Sequence, residues 1–172
     1  FIKELTGSNF TIRKLYATSL WVNENNYRGD VATITEAELA RISHLSTPNQ
    51  VLAIVEKSHL PAAFSLKDRF TLVLDGIQDP GNFGTIIRTA DWFGIEQVIA
   101  STDCADVYNP KTVQSTMGSI FRVNILYNDI AAILAECPVP VYGALLNGKS
   151  VYNTSPVHEA VLIIGNESKG IR

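Results

Sequence analysis

The chain is predicted to be an α/β protein with a mostly parallel sheet, on three observations. Thr71 to Gly94 runs from a buried strand through a tight polar loop into a helix. Beyond it, short apolar runs alternate with capped helical stretches at the spacing of βαβ units. And 172 residues that are 46% hydrophobic supply a core for one large or two small domains.

Residues 1–57 read as a small α/β module. Thr11 to Ala17 alternates as a half-buried strand, with Ile12 and Leu15 apolar around Arg13 and Lys14. Trp21 to Asp30, crowded with Asn and Gly, reads as a loop, and Val31 to Ile34 as a second strand. Thr35 and Glu38 have the spacing of a capping box, opening a helix through Ile42. A polar loop with Pro48 precedes a third strand, Val51 to Val55. Residues 58–69, with Pro61 and mixed charges, read as a linker.

Residues 70–172 read as the second domain. Its opening strand is Thr71 to Leu74, and Asp79-Pro80-Gly81-Asn82 is dense turn chemistry. Asn82 suits a helix N-cap and Gly94 the stop. Gln97 to Ala100 is the next strand, and Asn109-Pro110 starts a helix to about Ser119. Val123 to Leu126 follows as a strand, then a helix capped by Asn128 and running through Glu136. Val139 to Leu145 and Ala160 to Ile164 are the last two strands. The sheet is expected to be parallel with helices on both faces.

No run reaches the length of a membrane span, and no signal peptide is visible. The opening Phe-Ile-Lys-Glu lacks Met, which predicts that N-terminal sequence has been removed. Cys104 and Cys137 have neither metal nor redox spacing and read as free, buried thiols of the cytoplasm. His44, His59 and His158 lack acidic or Cys neighbours at ligand spacing, so no metal is expected. A net charge of −3 argues against a simple electrostatic nucleic-acid binder. Residues 1–67 carry seven basic against six acidic side chains, and residues 68–172 seven against eleven. Arg13, Lys14 and Arg41 are the local cations that could guide RNA onto the first module, or simply be solvated.

Three loops follow the carboxyl ends of predicted strands: Asp79 to Asn82, Leu145 to Lys149, and Gly165 to Gly170. The third is bracketed by two glycines and contains Glu167. No Walker or dinucleotide fingerprint is present. On a helical wheel Phe83, Ile86, Ile87, Ala90 and Phe93 share an arc, and Arg88 and Trp92 lie opposite it. Arg88 alone suits a solvated arginine; Trp92 beside it favours a face that something covers.

Asp79-Pro-Gly-Asn-Phe-Gly-Thr-Ile-Ile-Arg-Thr-Ala-Asp-Trp-Phe-Gly94 resembles motif 1 of the SpoU (TrmH-like) RNA ribose methyltransferases of the SPOUT superfamily. Gly165-Asn-Glu-Ser-Lys-Gly-Ile171 resembles their motif 2. Residues 1–57, including Ile34-Thr-Glu-Ala-Glu-Leu39 and Asn49-Gln-Val-Leu-Ala53, resemble their L30e-like substrate-binding domain. The resemblance implies a trefoil-knot methyltransferase domain and a homodimer with its active site near the subunit interface. It implies transfer of a methyl group from S-adenosylmethionine to a ribose 2′-hydroxyl of rRNA or tRNA. The catalytic arginine maps onto Arg88, with Asn82 and Glu167 as its motif partners; the cofactor loops map onto Leu145, Gly165, Asn166 and Gly170. Motif 3, a Pro followed by Ser-Leu-Asn-Val and a last helix, does not occur in these residues. By the resemblance the domain is therefore incomplete at its C-terminus, and weak cofactor binding is expected without that segment.

A guanidinium is a poor general base because it stays protonated. The expected role of Arg88 is to hold a phosphate or stabilise the developing oxyanion, oriented by Asn82 and Glu167. Two other readings remain at this point. One is an RNA-binding or assembly protein that keeps the fold without turnover, against which the joint presence of Asn82, Arg88 and Glu167 argues. The other is a doubly wound nucleotide-binding domain, which Asp75 and Asp79 beside the loop disfavour.

Overall fold

The computed structural model describes residues 1–57 and 64–172. The chain divides into two compact units, Phe1–Ser58 and His59–Arg172.

The first unit contains α1 (Ile2–Thr6), β1 (Ile12–Ala17), α2 (Ser19–Asn25), β2 (Ala32–Thr33), α3 (Glu36–Ile42) and β3 (Val51–Val55). Its sheet has the order β2-β1-β3, with β1 parallel to β2 and antiparallel to β3. The predicted capping box forms: Thr35 accepts from the Glu38 amide, and Glu38 accepts from the Thr35 amide at 2.8 Å. That bond to the Thr35 amide holds the Glu38 carboxyl below its ordinary pKa.

Two expectations change here. The loop expected from Trp21 begins instead as α2, because Thr18 caps the Trp21 amide and a left-handed Asn26 ends the helix. Asn-rich sequence thus supplies a terminus rather than a loop throughout. The basic group is also neutralised within the unit, since Arg13 pairs with Glu56 and Lys14 with Asp30 at 3.3 Å. Arg41 sits in the last turn of α3, where the helix dipole favours a cation.

The second unit contains β4 (Phe70–Asp75), α4 (Pro80–Trp92), β5 (Gln97–Ala100), α5 (Pro110–Ser115), β6 (Asn124–Tyr127), α6 (Ile130–Ala135), β7 (Val141–Gly143) and β8 (Ala160–Gly165). Its five strands are all parallel, in the order β6-β5-β4-β8-β7. The chain starts at the centre, builds outward through β5 and β6, then crosses to β7 and returns to β8. β4 and β8 are parallel neighbours, so the loops at their carboxyl ends border a crevice there.

Strand alternation divides the core. Leu72 and Leu74 of β4 pack with Phe83, Ile87 and Ala90 of α4 on one face. Val73, Ile99, Val161 and Ile163 face the other way, toward Ile130, Ile133 and Leu134 of α6. Both faces are therefore covered, as continuous apolar strands require. Helices α4 and α5 approach closely over Gly84, where a Cβ would stand 2.6 Å from the Thr112 carbonyl oxygen.

Several boundaries move. Asp79, not Asn82, caps α4, because Pro80 takes the first helical position and places the Asn82 amide 2.8 Å from Asp79 Oδ1. Asp129 rather than Asn128 caps α6, its Oδ1 accepting from Ala131 and Ala132. Helix α5 stops at Ser115, short of Ser119, since Met117 and Gly118 have φ of 51° and 97°. Phe93 was placed on the core arc but is 74% exposed, because the helix ends there and Ile95 packs against the core instead. The expected linker lies partly outside the described residues; of its remainder, Leu66 is buried in the second unit's core and Phe64 packs beside it. Both cysteines are free; Cys104 is buried, whereas Cys137 is only half-buried.

Candidate active site

The crevice between β4 and β8 is built from two of the three loops that the sequence singles out, Asp79 to Asn82 and Gly165 to Gly170. The Asp79 cap sets the first turn of α4, so that Asn82 projects from it beside the loop after β8. There Asn82 Nδ2 donates to Glu167 Oε1. Two residues 85 apart in sequence are thus joined at the carboxyl ends of adjacent strands.

What holds Glu167 there is a tightly ordered turn. The Gly165–Gly170 loop closes through paired backbone bonds between Asn166 and Gly170, 3.0 and 2.8 Å, with Gly170 at φ 72°. The Asn166 side chain organises it: Oδ1 accepts from Ser168 and Lys169, and Nδ2 donates to the Gly76 carbonyl at 2.7 Å. Asn166 therefore ties the β8 loop to the end of β4, and all three of those bonds stay within the chain. Its backbone N–H and C=O are likewise paired with Gly170, so the Asn166 and Gly170 carbonyls each keep one lone pair for a ligand. Asn166→Ala is expected to cost about 1–2 kcal/mol, the loss of a buried carbonyl's partner and two turn amides. A denaturant melt checks this.

At the loop's far end Arg172 is clamped by two carboxylates. Its amide and guanidinium donate to the nearly buried Asp75 at 2.7–3.0 Å, and Nη2 also reaches Asp103 at 2.9 Å. Ser101 Oγ donates to Asp103 at 2.6 Å and accepts from the Gly76 amide at 2.8 Å. Hydrogen bonds from Arg172 and then Ser101 hold the Asp103 carboxyl at about 2. A depressed carboxylate contributes stability above its unfolded pKa, near 4, and loses it as pH falls through the folded value. Stability is therefore expected to drop between about pH 5 and 2, and Asp103→Asn to flatten part of that slope. Denaturant melts at pH 6 and 3 read the difference.

Leu145 lies just past β7, and the Ala144 amide bonds to the Ile163 carbonyl of β8 at 2.9 Å. Leu145 is 62% exposed and Leu146 fully so. Beside them a Cβ on Gly143 would meet Ile171 Cδ1 at 3.1 Å and Leu145 Cγ at 3.6 Å. The result is an uncharged shelf of Leu145, Ile171 and glycine backbone next to Gly165. Such a shelf fits the flat face of an adenine ring.

Arg88 is not drawn into the Asn82–Glu167 pair. It is exposed, and neither Asn82 nor Glu167 bonds to it, contrary to the expectation that they orient it. It shares an exposed face of α4 with Thr85, Thr89 and Trp92, the last 86% exposed. The Thr85 and Thr89 hydroxyls turn back onto helix carbonyls at 2.8 and 2.9 Å, which leaves their methyls outward. Sequence reasoning missed Asp75, Ser101, Asp103 and Arg172 as a group; only the strand-end positions of Asp75 and Ser101 hinted at it. Among the described residues no cluster of His, Cys, Asp or Glu could hold a metal ion. No helix among them is long and apolar enough to cross a membrane.

Comparison with known proteins agrees with this fold. The SpoU rRNA Methylase family model matches residues 69–172. A 23S rRNA (guanosine(2553)-2′-O)-methyltransferase, RlmP, of Bacillus subtilis is 34% identical over 142 residues, covering 80% of this chain and 56% of its own length. A solved structure assigned to the TrmH family of RNA methyltransferases, from Porphyromonas gingivalis, superposes with a TM-score of 0.83 at 37% identity, over 99% of this chain and 71% of that one. The SpoU methyltransferase AviRb of Streptomyces viridochromogenes, solved in complex with AdoMet, superposes with a TM-score of 0.80 at 26% identity, over 99% and 72%. The chain matches about half the length of two curated relatives, 56% and 47%, and 21–30% of six others. With the family model matching residues 69–172, and Asn82 joined to Glu167 at the carboxyl ends of adjacent strands in a five-stranded parallel sheet, the chain belongs to the SpoU rRNA methylase family.

Proposed function

We propose that this chain carries the catalytic unit of an S-adenosylmethionine-dependent enzyme that methylates a ribose 2′-hydroxyl in rRNA. The observation that carries the reading is the Asn82–Glu167 bond, which joins motif 1 to motif 2 beside an uncharged shelf. Leu145, Gly165 and the backbone of Asn166 and Gly170 would hold the cofactor; a methyl group on an activated sulfonium is the chemistry it supplies when bound.

The rest falls to the chain's own residues. A 2′-hydroxyl is a weak nucleophile and must lose its proton as the new bond forms, so orientation and charge stabilisation dominate. Glu167 fixes Asn82, and together they present a carboxylate and an amide to the incoming ribose. Arg88 stabilises negative charge on the ribose oxygen or its phosphate, for which a planar, permanently charged fork is suited.

The exposed Arg88–Trp92 face is covered in this reading by a second copy, which makes the enzyme a homodimer. Residues 1–57 form the L30e-like substrate-binding domain and residues 70–172 the methyltransferase domain, with the trefoil knot of the SPOUT fold. Two free thiols suit the cytoplasm as its compartment.

Calorimetric titration of the full-length protein with S-adenosylmethionine, followed by incubation with unmodified 23S rRNA transcript, tests the reading. A blocked 2′-hydroxyl cannot attack the adjacent phosphodiester, so one alkali-resistant linkage is expected to appear. RNA binding without that linkage would leave a non-catalytic RNA-binding protein, and absence of both would remove the proposal.

A further inference from the structure

Lys111 lies at the mouth of this site, and neither motif contains it. Asn109 caps α5 and the close approach at Gly84 locks α5 against α4, which brings Lys111 over the start of α4. A Cβ on Gly81 would stand 3.1 Å from Lys111 Cε and 3.5 Å from Nζ. The ammonium donates to Asp79 Oδ2 at 2.9 Å, and Asp79 Oδ1 accepts from the Asn82 amide at 2.8 Å. One carboxylate therefore separates Lys111 from the backbone of the residue that binds Glu167.

Two features set this cation apart. Arg172, also near the crevice, is committed to two carboxylates, whereas the Lys111 pair with Asp79 uses one of three ammonium donors. Its side chain is 60% exposed, and a pair so open to solvent is held only weakly. Redirecting those donors therefore costs little. In a unit with more acids than bases, Lys111 offers an RNA backbone entering the crevice a cation at the start of α4, apart from Arg88 on the exposed face of that helix.

We propose that Lys111 contacts the RNA, donating to a non-bridging phosphate oxygen beside the ribose that is methylated, with Asp79 kept as its second partner. This rests on the methyltransferase reading above. The alternative anion for the same ammonium is the carboxylate of S-adenosylmethionine, and the test separates the two.

The test uses the full-length protein, an unmodified 23S rRNA transcript, and Lys111→Gln, Lys111→Arg and Asp79→Asn. Lys111→Gln is expected to weaken RNA binding about five- to tenfold and to reduce the slope of log K against log salt by about 0.7–0.9, the release of one counterion. The loss should fall mainly on KM for RNA, with the S-adenosylmethionine Kd unmoved and Lys111→Arg restoring binding. Asp79→Asn keeps an N-cap residue and frees the ammonium, so the slope should stay at the wild-type value or steepen. An unchanged slope in Lys111→Gln would overturn the proposal and leave a structural ion pair. A raised S-adenosylmethionine Kd with RNA binding unchanged would assign the ammonium to the cofactor and overturn it equally. A wild-type protein that neither binds nor methylates RNA would fail at the level of the function itself.

Discussion

Gly165→Ala is expected to destabilise the second unit by about 3 kcal/mol and to abolish cofactor binding and methyl transfer together. The added Cβ would stand 2.3 Å from the Gly170 carbonyl carbon, 2.4 Å from its oxygen and 2.4 Å from the Ile171 nitrogen. All three atoms are backbone, so no side-chain rotation relieves the clash. The 166–170 turn must shift, which strains the Asn166 bond to Gly76 and withdraws Glu167 from Asn82. Gly94→Ala is the matched control. Gly94 has φ 70° but open space around its Cα, so an alanine there meets only the left-handed backbone penalty, about 1–2 kcal/mol. Urea unfolding of both variants reads the difference. Equal losses would show that crowding at Gly165 has no part in holding the loop.

Why the sequence was legible at some points and not at others follows from the range of the interactions. β5 spans Gln97–Ala100 and β3 spans Val51–Val55, as the apolar runs predict: β5 is wholly buried, and β3 is held by its pairing with β1 although Ile54 is 49% exposed. Caps proved less legible. Asp79 and Asn82 are both good capping residues, and Pro80 decides between them by occupying the first helical position. The same ambiguity shifts the α6 cap from Asn128 to Asp129.

At the site, the motif residues Asn82 and Glu167 could be named from sequence, but not that they bond to each other and leave Arg88 apart. That depends on β4 and β8 being neighbours, a pairing of strands about ninety residues apart, with Asp75 opposite Gly165. Asn166 illustrates the limit. Its place in motif 2 suggested a cofactor ligand, while the fold uses its side chain to tie two loops together. No local pattern separates these roles, since both need a polar amide at a strand end.

Arg88→Ala is expected to lower the rate of methyl transfer about 10²- to 10³-fold, the usual loss when one donor to a developing oxyanion is removed. Because Arg88 is exposed and makes no bond to Asn82 or Glu167, stability should change by less than about 0.5 kcal/mol and the S-adenosylmethionine Kd should hold. A single-turnover assay with an equilibrium melt on the same preparation separates chemistry from folding. Arg88→Lys then tests what the guanidinium contributes. An ammonium retains the charge but not the planar, forked donors, so rates between those of wild type and Arg88→Ala are expected. Added guanidinium ion should partly rescue Arg88→Ala if charge at that position is what the reaction needs. Wild-type rates in Arg88→Lys, with an unchanged pH–rate profile, would reduce the requirement to a positive charge alone. An undiminished rate in Arg88→Ala would remove Arg88 from the chemistry. The exposed face it shares with Trp92 would then keep only its proposed role as a surface for a second copy.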